Sequence, residues 1–90
     1  MPYITRQNRV VLEKRLKPIL EITHDLYPGE LNYVLTRIVA TFTGHPSYSS
    51  IVHVVGVLEN VKQEYYRRVA VPYEIRKRLE NGDVYGVRSN

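Results

Sequence analysis

The chain has 90 residues, a net charge of +4, eight tyrosines and no cysteine. A domain of this length buries only about 60 to 65% of the surface that its unfolded chain exposes, so it is marginally stable without help. The lack of cysteine excludes disulfides and thiolate zinc sites, which leaves self-association as the source of additional stability. No secretory signal and no apolar run of about 20 residues is found, so we expect a cytoplasmic protein without a membrane segment.

Two short helices are predicted at the N-terminus. Thr5 is a suitable N-cap for the first, which should end near Leu16, because Lys17-Pro18 disfavours continued helix. The second runs from Pro18 to about Leu26. Pro28-Gly29 then stops the helix and opens a turn.

A medium helix begins at Glu30. Its apolar residues recur at i, i+3, i+4, i+7, i+8 and i+11, which is one face of an α-helix. They are Leu31, Val34, Leu35, Ile38, Val39 and Phe42. The run Thr43-Gly44-His45-Pro46 indicates where this helix stops.

The last predicted helix is long. Ser47 or Ser49 can cap its start, Pro72 should bend or restart it, and Asn81-Gly82 should terminate it. Its apolar arc consists of Ile51, Val54, Val55, Leu58, Val61, Tyr65 and Val69. Residues 83–90 are expected to be a flexible tail.

The predicted fold class is all-α: a small bundle of two short N-terminal helices, one medium helix and one long helix bent near Pro72, in a single domain over 1–90. The stretch from Tyr48 to Val71 is about 36 Å of helix, whereas a compact domain of this size has a radius of gyration of about 12 Å. The long helix should therefore overhang its core and bind a second copy. The predicted oligomer interface is Val52, Gly56, Val57 and Val71. The alternative is a monomeric four-helix bundle.

Catalytic and metal-binding motifs are missing. The three histidines lie on different elements without the i+3 or i+4 partner of a helical metal site, and the serines form no nucleophile elbow. The five isolated glycines form no phosphate-binding loop. Glu59 and Glu64 lie about 140° apart around a helix and cannot flank one substrate. We therefore expect binding without catalysis, and no metal or cofactor.

Tyrosine and arginine supply the candidate ligand site. Tyrosine rings stack on nucleobases, and guanidinium groups bind phosphate in a bidentate manner. The candidate residues are Tyr33, Arg37, Lys62, Tyr66, Arg67 and Arg68. The alternative is that Glu59-Lys62 and Glu64-Arg68 are ordinary helical ion pairs.

Arg67 and Arg68 differ in their predicted surroundings. A helical wheel separates them by about 100°. Arg68 lies at the edge of the apolar arc, whereas Arg67 lies on the solvent side. We therefore expect the two side chains to serve different surfaces, with Arg68 the one at a ligand or subunit boundary.

Several segments resemble a family of small uncharacterised proteins found in bacteriophages, prophages and bacteria. The resemblance covers nearly the whole chain and departs mainly between residues 43 and 50. It is carried by Met1-Pro2-Tyr3-Ile4, by residues 29–37 (GELNYVLTR), by residues 56–62 (GVLENVK), by Tyr65-Tyr66-Arg67-Arg68, by Pro72-Tyr73-Glu74 and by residues 81–85 (NGDVY). It implies a viral or prophage origin, and a location in the bacterial cytoplasm.

Three functions are compatible with these observations. The first, by analogy with small phage proteins, is an oligomeric anti-defence sponge, a protein that sequesters a nucleotide-like anionic signal of bacterial immunity. The second is an inhibitor or adaptor that docks a host or phage protein through a helix face. The third is a nonspecific nucleic-acid binder, which we rank last because acidic residues interrupt the basic ones.

Overall fold

A computed structural model describes residues 4–85 of the protein, and within them there are helices and no strand. The elements are α1 (Arg6–Thr23), α2 (Pro28–Thr43), α3 (Tyr48–Tyr65), a π-helical segment (Tyr66–Ala70) and α4 (Val71–Asn81). The last three follow one another without a break, so the described chain has three helices, the last one long and bent. The all-α prediction is confirmed, but the predicted number of helices is wrong.

The predicted break at Lys17-Pro18 does not occur, because α1 continues through Pro18 to Thr23. A proline inside a helix removes one backbone hydrogen bond. Ser, Thr, Asp and Asn are the N-cap residues that most favour the start of a new helix, and the residues just before Pro18 include none of them. One continuous helix that lacks one backbone hydrogen bond is therefore favoured over two shorter helices. The predicted cap at Thr5 is confirmed, since its Oγ1 accepts a hydrogen bond from the Asn8 N–H at 3.1 Å.

Pro28 begins α2 instead of opening a turn before it. Proline suits the first helical position, because the N–H that it lacks would have no partner there. The N–H of Tyr27 donates to Glu30 Oε1 at 2.9 Å and so joins the start of the helix to its first turn. The predicted stop is confirmed: Gly44 has φ +59°, and its N–H donates to the Ala40 carbonyl.

The start of α3 is capped by Ser47, one of the two predicted serines. Its Oγ accepts from the Ser50 N–H at 3.1 Å, and its own N–H donates to Ser50 Oγ at 2.9 Å. This reciprocal pair satisfies two backbone donors at the start of the helix.

The predicted bend near Pro72 is present, and it takes the form of the π-helical segment just before the proline. The N–H of Val71 donates to the Tyr66 carbonyl, five residues earlier. The predicted stop at Asn81-Gly82 is confirmed, since Gly82 has φ +91° and its N–H donates to the Arg78 carbonyl. Of the predicted tail, residues 86–90 lie outside the described residues.

No residue in 4–85 is buried. The apolar faces that the sequence assigns to a core are exposed: Phe42 is 72% exposed, Val61 62% and Leu58 45%. The chain divides into two compact units, Met1–Ile51 and Val52–Asn90. Within 4–85, no helix has both the length and the apolarity to cross a membrane.

Candidate ligand-binding site

The six predicted ligand residues are divided between the two units. Tyr33 and Arg37 lie one turn apart on α2, in the first unit. Lys62 lies on α3, and the other three lie in the π-helical segment, in the second unit. Among the described residues no ion pair is formed by Arg37, whereas Lys62, Arg67 and Arg68 are all paired.

Glu64 holds two of the predicted cations. Arg67 Nη2 lies 3.2 Å from Glu64 Oε1, and Arg68 Nε donates to the same oxygen at 2.9 Å. The two arginines therefore meet at one carboxylate, although the helical wheel separates them; which of them serves a ligand or subunit boundary stays a prediction. Residues at i+3 and i+4 flank residue i on either side, so both long side chains can reach one carboxylate.

The environment of Glu64 favours its charged form. The hydrogen bond from Arg68 lowers the pKa of this carboxyl below its ordinary value of 4.5; desolvation opposes this shift, and the charges of Arg67 and Arg68 add to the lowering. Lys62 is held more loosely, with its Nζ 3.7 Å from Glu59 Oε2. These pairs agree with the alternative that the cations on this helix form intrahelical ion pairs.

The second unit contains an open pocket of about 520 Å³ at its C-terminal end, which we call the tyrosine pocket. Three of its lining residues are tyrosines and two are cations. The lining comes from the π-helical segment, from α4 and from the chain that follows it. The residues are Tyr66, Tyr73, Glu74, Lys77, Arg78, Asn81, Gly82, Asp83, Val84 and Tyr85.

Tyr73 contacts two cations, of which Lys77 lines the pocket and Arg76 lies outside its lining. The Lys77 Nζ and the Arg76 guanidinium each lie 5.6 Å from the centroid of its ring, which is the range of a cation–π interaction. The ring is 51% exposed, and the Tyr66 ring is 53% exposed. Each ring therefore has surface left on which a flat ligand can stack.

Asp83 shapes the far side of the tyrosine pocket. The positive φ of Gly82 ends α4, and Asp83 Oδ1 then accepts from the Tyr85 N–H at 2.9 Å. Its Oδ2 lies 3.4 Å from Arg78 Nη1, while Lys77 Nζ lies 3.2 Å from Glu80 Oε1. Both cations of the pocket are therefore engaged with carboxylates at the surface.

Sequence reasoning found one residue of this pocket, Tyr66, and missed Tyr73, Lys77 and Tyr85. A signal was present, because Tyr73 and Lys77 are a tyrosine and a cation four residues apart, the same spacing as Tyr33 and Arg37. The role of Tyr85 has no such signal, because it depends on the path of the chain after Gly82.

A larger concavity, about 760 Å³, runs along α1. Its lining residues all belong to that one helix. A single helix face cannot enclose a ligand, because pockets that hold small molecules surround most of the ligand surface. The tyrosine pocket, with side chains from consecutive elements, is the better candidate. Within 4–85, no group of three or more potential ligand side chains is placed to hold a metal ion.

The protein was compared with known families, curated proteins and solved structures. The family model described as "Domain of unknown function (DUF6899)" matches residues 1–84. No curated protein matches the chain, and no solved structure matches it. Because the family model covers nearly the whole chain, the protein belongs to the DUF6899 family.

Proposed function

We propose that this protein binds a nucleotide-like anion in the tyrosine pocket and does not catalyse a reaction. The observation that carries the proposal is the grouping of Tyr66, Tyr73 and Tyr85 with Lys77 and Arg78 around one concavity. Aromatic rings stack on nucleobases, and cationic side chains bind phosphate. The grouping supplies both kinds of contact within one small unit.

Lys77 and Arg78 can exchange their carboxylate partners for a ligand phosphate at a small cost in free energy. The pairs Lys77–Glu80 and Arg78–Asp83 lie at the surface, where an ion pair stabilises a protein by about 0 to 1 kcal/mol. A phosphate offers more acceptor oxygens and more charge than one carboxylate. Base stacking on a tyrosine adds about 1 to 3 kcal/mol.

The wider form of the proposal is a phage-type sponge that removes a nucleotide signal of bacterial immunity from solution. What supports it is the resemblance of the sequence to small phage and prophage proteins, together with the ligand chemistry of the tyrosine pocket. In this form the original candidates on α2, Tyr33 and Arg37, become the second choice of site. The ligand is expected to contact Tyr66, whereas Arg67 and Arg68, the next two residues, do not line the tyrosine pocket.

The first experiment identifies a bound ligand. The purified protein is denatured, and the released small molecules are measured by absorbance and mass spectrometry. One nucleotide-like molecule per chain, or per two chains, is the expected result. If none is released, linear and cyclic nucleotides are titrated into the protein by calorimetry. No binding by any of them would contradict the proposal.

The second experiment uses matched tyrosines to locate the site. Tyr73→Leu keeps apolar bulk but removes the stacking ring, and it should weaken binding about tenfold. Tyr33→Leu is the control, because Tyr33 is a similarly exposed helical tyrosine outside the tyrosine pocket. If Tyr33→Leu weakens binding and Tyr73→Leu does not, the ligand binds on α2 instead.

A second candidate function is an adaptor or inhibitor that docks another protein. It is favoured by the exposed apolar face of α2, where Leu35, Ile38 and Phe42 are each about half exposed or more. Phe42→Asp would place a charge in that face and should abolish capture of a stoichiometric partner from host extracts, while Tyr73→Leu should not. Nonspecific retention of duplex DNA that falls steeply with salt would instead support the nucleic-acid binder.

A further inference from the structure

The charges that line the tyrosine pocket cancel one another. Its described lining contains two cations, Lys77 and Arg78, and two carboxylates, Glu74 and Asp83. All four belong to the second unit, so their contacts with one another are internal to that unit. Both cations are already paired with carboxylates. An anionic ligand therefore gains a cation of this pocket by replacing the carboxylate that holds it.

Arg78 is paired with the less expected of the two carboxylates. Glu74 precedes Arg78 by four residues on α4, which is the spacing and the order that favour an ion pair within a helix. Arg78 Nη1 instead lies 3.4 Å from Oδ2 of Asp83, beyond the end of α4. Within residues 4–85, Glu74 forms no ion pair. The chain after Gly82 therefore supplies the partner of Arg78.

The second oxygen of Asp83 holds the chain that follows it. Oδ1 accepts a hydrogen bond from the Tyr85 N–H at 2.9 Å, and the positive φ of Gly82 turns the backbone where this segment begins. The side chain of Asp83 is 32% exposed, whereas that of Arg78 is 52% exposed. One carboxylate thus joins a cation of the pocket to the segment that carries Tyr85, a third aromatic ring of the lining.

The contact between Arg78 and Asp83 is weak enough for a ligand to replace it. Its separation of 3.4 Å is longer than the roughly 2.7 to 2.9 Å of a strong hydrogen bond between charged groups. A carboxylate carries a single negative charge, whereas a phosphate monoester carries about 1.5 to 2 near neutral pH and has three acceptor oxygens. A phosphate therefore competes for the guanidinium better than Asp83 does. A carboxylate on a ligand has no such advantage.

We propose that Asp83 is an internal competitor in the tyrosine pocket, which holds Arg78 until a phosphate monoester displaces it. The pocket then selects phosphate ligands over carboxylate and neutral ones, because only the phosphate outcompetes Asp83. Displacement separates the carboxylate from Arg78 and leaves its hydrogen bond to the Tyr85 N–H in place. The proposal rests on the nucleotide-binding function proposed above and names the part of the ligand that the pocket recognises.

Asp83→Asn separates the charge of Asp83 from its hydrogen bond. The amide oxygen of asparagine still accepts from the Tyr85 N–H, but the charge that holds Arg78 is gone. Adenosine monophosphate (AMP) and adenosine are titrated into each protein by NMR at about pH 8, where the phosphate carries about two negative charges. Asp83→Asn should bind AMP about threefold to tenfold more tightly than the wild-type chain does. Its affinity for adenosine should be unchanged.

Glu59→Gln is the matched control for the loss of one negative charge. Glu59 belongs to the same unit and lies 3.7 Å from Lys62, outside the tyrosine pocket. Its replacement should change the affinity for AMP by less than about twofold, because charges far apart at the surface are screened. Tighter binding by Glu59→Gln and not by Asp83→Asn would place the phosphate at Lys62 and overturn the proposal.

The wild-type chain gives a direct readout of the displacement. AMP should shift the carboxyl-carbon NMR signal of Asp83, and adenosine should not, because only AMP brings a phosphate to Arg78. The carboxyl signal of Glu59 serves as the internal reference and should stay in place with both compounds. An Asp83 signal that moves equally with AMP and adenosine would contradict the displacement of Asp83 by phosphate.

The outcomes separate this proposal from the nucleotide-binding function. If AMP binds the wild-type chain and Asp83→Asn with equal affinity, Asp83 is not a competitor, and the nucleotide site stands. If AMP binds neither protein while another nucleotide binds in the tyrosine pocket, the selection of a phosphate monoester is wrong. If no nucleotide binds at all, both proposals fail.

Discussion

The backbone N–H of Val71 donates to the carbonyl oxygen of Tyr66, five residues earlier and one more than in an α-helix. The residue after Val71 is Pro72, which has no N–H and whose ring crowds the carbonyl four residues before it. A wider turn relieves this crowding while the helix continues. The π-helical segment is therefore the local answer to a proline inside a long helix, and it lies between α3 and α4.

Pro72→Ala should convert this segment to regular α-helix. The change restores a backbone donor and should stabilise the protein by about 1 to 3 kcal/mol. A π-helical turn holds one residue more than an α-helical turn. Its conversion to α-helix therefore rotates α4 by about 100° relative to α3. Tyr73 should then leave its place near Tyr66, and ligand affinity should fall about tenfold. Denaturant unfolding and ligand titration measure the two effects.

Pro18→Ala is the matched control for that change. Pro18 lies inside α1, outside the tyrosine pocket and without a π-helical segment. Its replacement should also stabilise the protein, but it should leave ligand affinity unchanged. Equal loss of affinity in both variants would mean that the widening before Pro72 does not shape the pocket.

Arg68→Ala should raise the pKa of Glu64 more than Arg67→Ala does. The hydrogen bond from Arg68 is the largest cause of the lowered pKa, and the effect of Arg67 is smaller. Carbon NMR of the Glu64 carboxyl through an acid titration measures both variants against the wild-type chain. A larger rise with Arg67→Ala would show that the 2.9 Å contact of Arg68 is not kept in solution.

The lowered pKa of Glu64 also predicts a pH dependence of stability. Because the pKa of Glu64 is lower in the folded state, its contribution is present above the ordinary value of 4.5 and is lost as pH falls through the lowered value. The stability difference between the wild-type chain and Glu64→Gln should shrink over that window. A difference that stays constant down to the lowest pH would contradict the ion pair.

Gly56→Ala should stabilise the protein by about 0.5 to 1 kcal/mol, because alanine is the better helix former. A Cβ at Gly56 meets nothing within 4 Å, so no contact opposes the gain. Gly44→Ala should act in the opposite direction, since Gly44 has φ +59° at the end of α2. Denaturant unfolding at one fixed protein concentration compares them. A loss of stability with Gly56→Ala would indicate that another chain approaches closely there.

Ser47→Ala should destabilise the protein by about 0.5 to 2 kcal/mol, the usual cost of losing an N-cap. Ser47 caps α3 through its hydrogen bonds with Ser50. Ser49 was the other candidate from the sequence, and Ser49→Ala is expected to change stability by less than about 0.5 kcal/mol. Thermal unfolding of the two variants compares them directly. If Ser49→Ala were the more destabilising variant, Ser49 and not Ser47 would be the N-cap of α3.

The sequence alone determined where most helices begin and end. Thr5, Ser47, Gly44 and Gly82 act within three or four residues of themselves, so their effect can be read from neighbouring residues. Whether Pro18 and Pro72 interrupt their helices was harder to predict. At Pro18 and Pro72 a missing hydrogen bond competes with the cost of starting a new helix, and composition alone does not give the balance.

The tertiary structure decided which side chains meet. Apolar spacing predicted that α3 has a face to cover, but spacing is a property of one helix and does not name what covers it. The tyrosine pocket is lined by residues from the π-helical segment before Pro72, from α4 and from the chain after Gly82, where Asp83 reaches Arg78. Contacts of that kind depend on how successive elements are oriented, whereas the caps and stops depend only on hydrogen bonds within one turn.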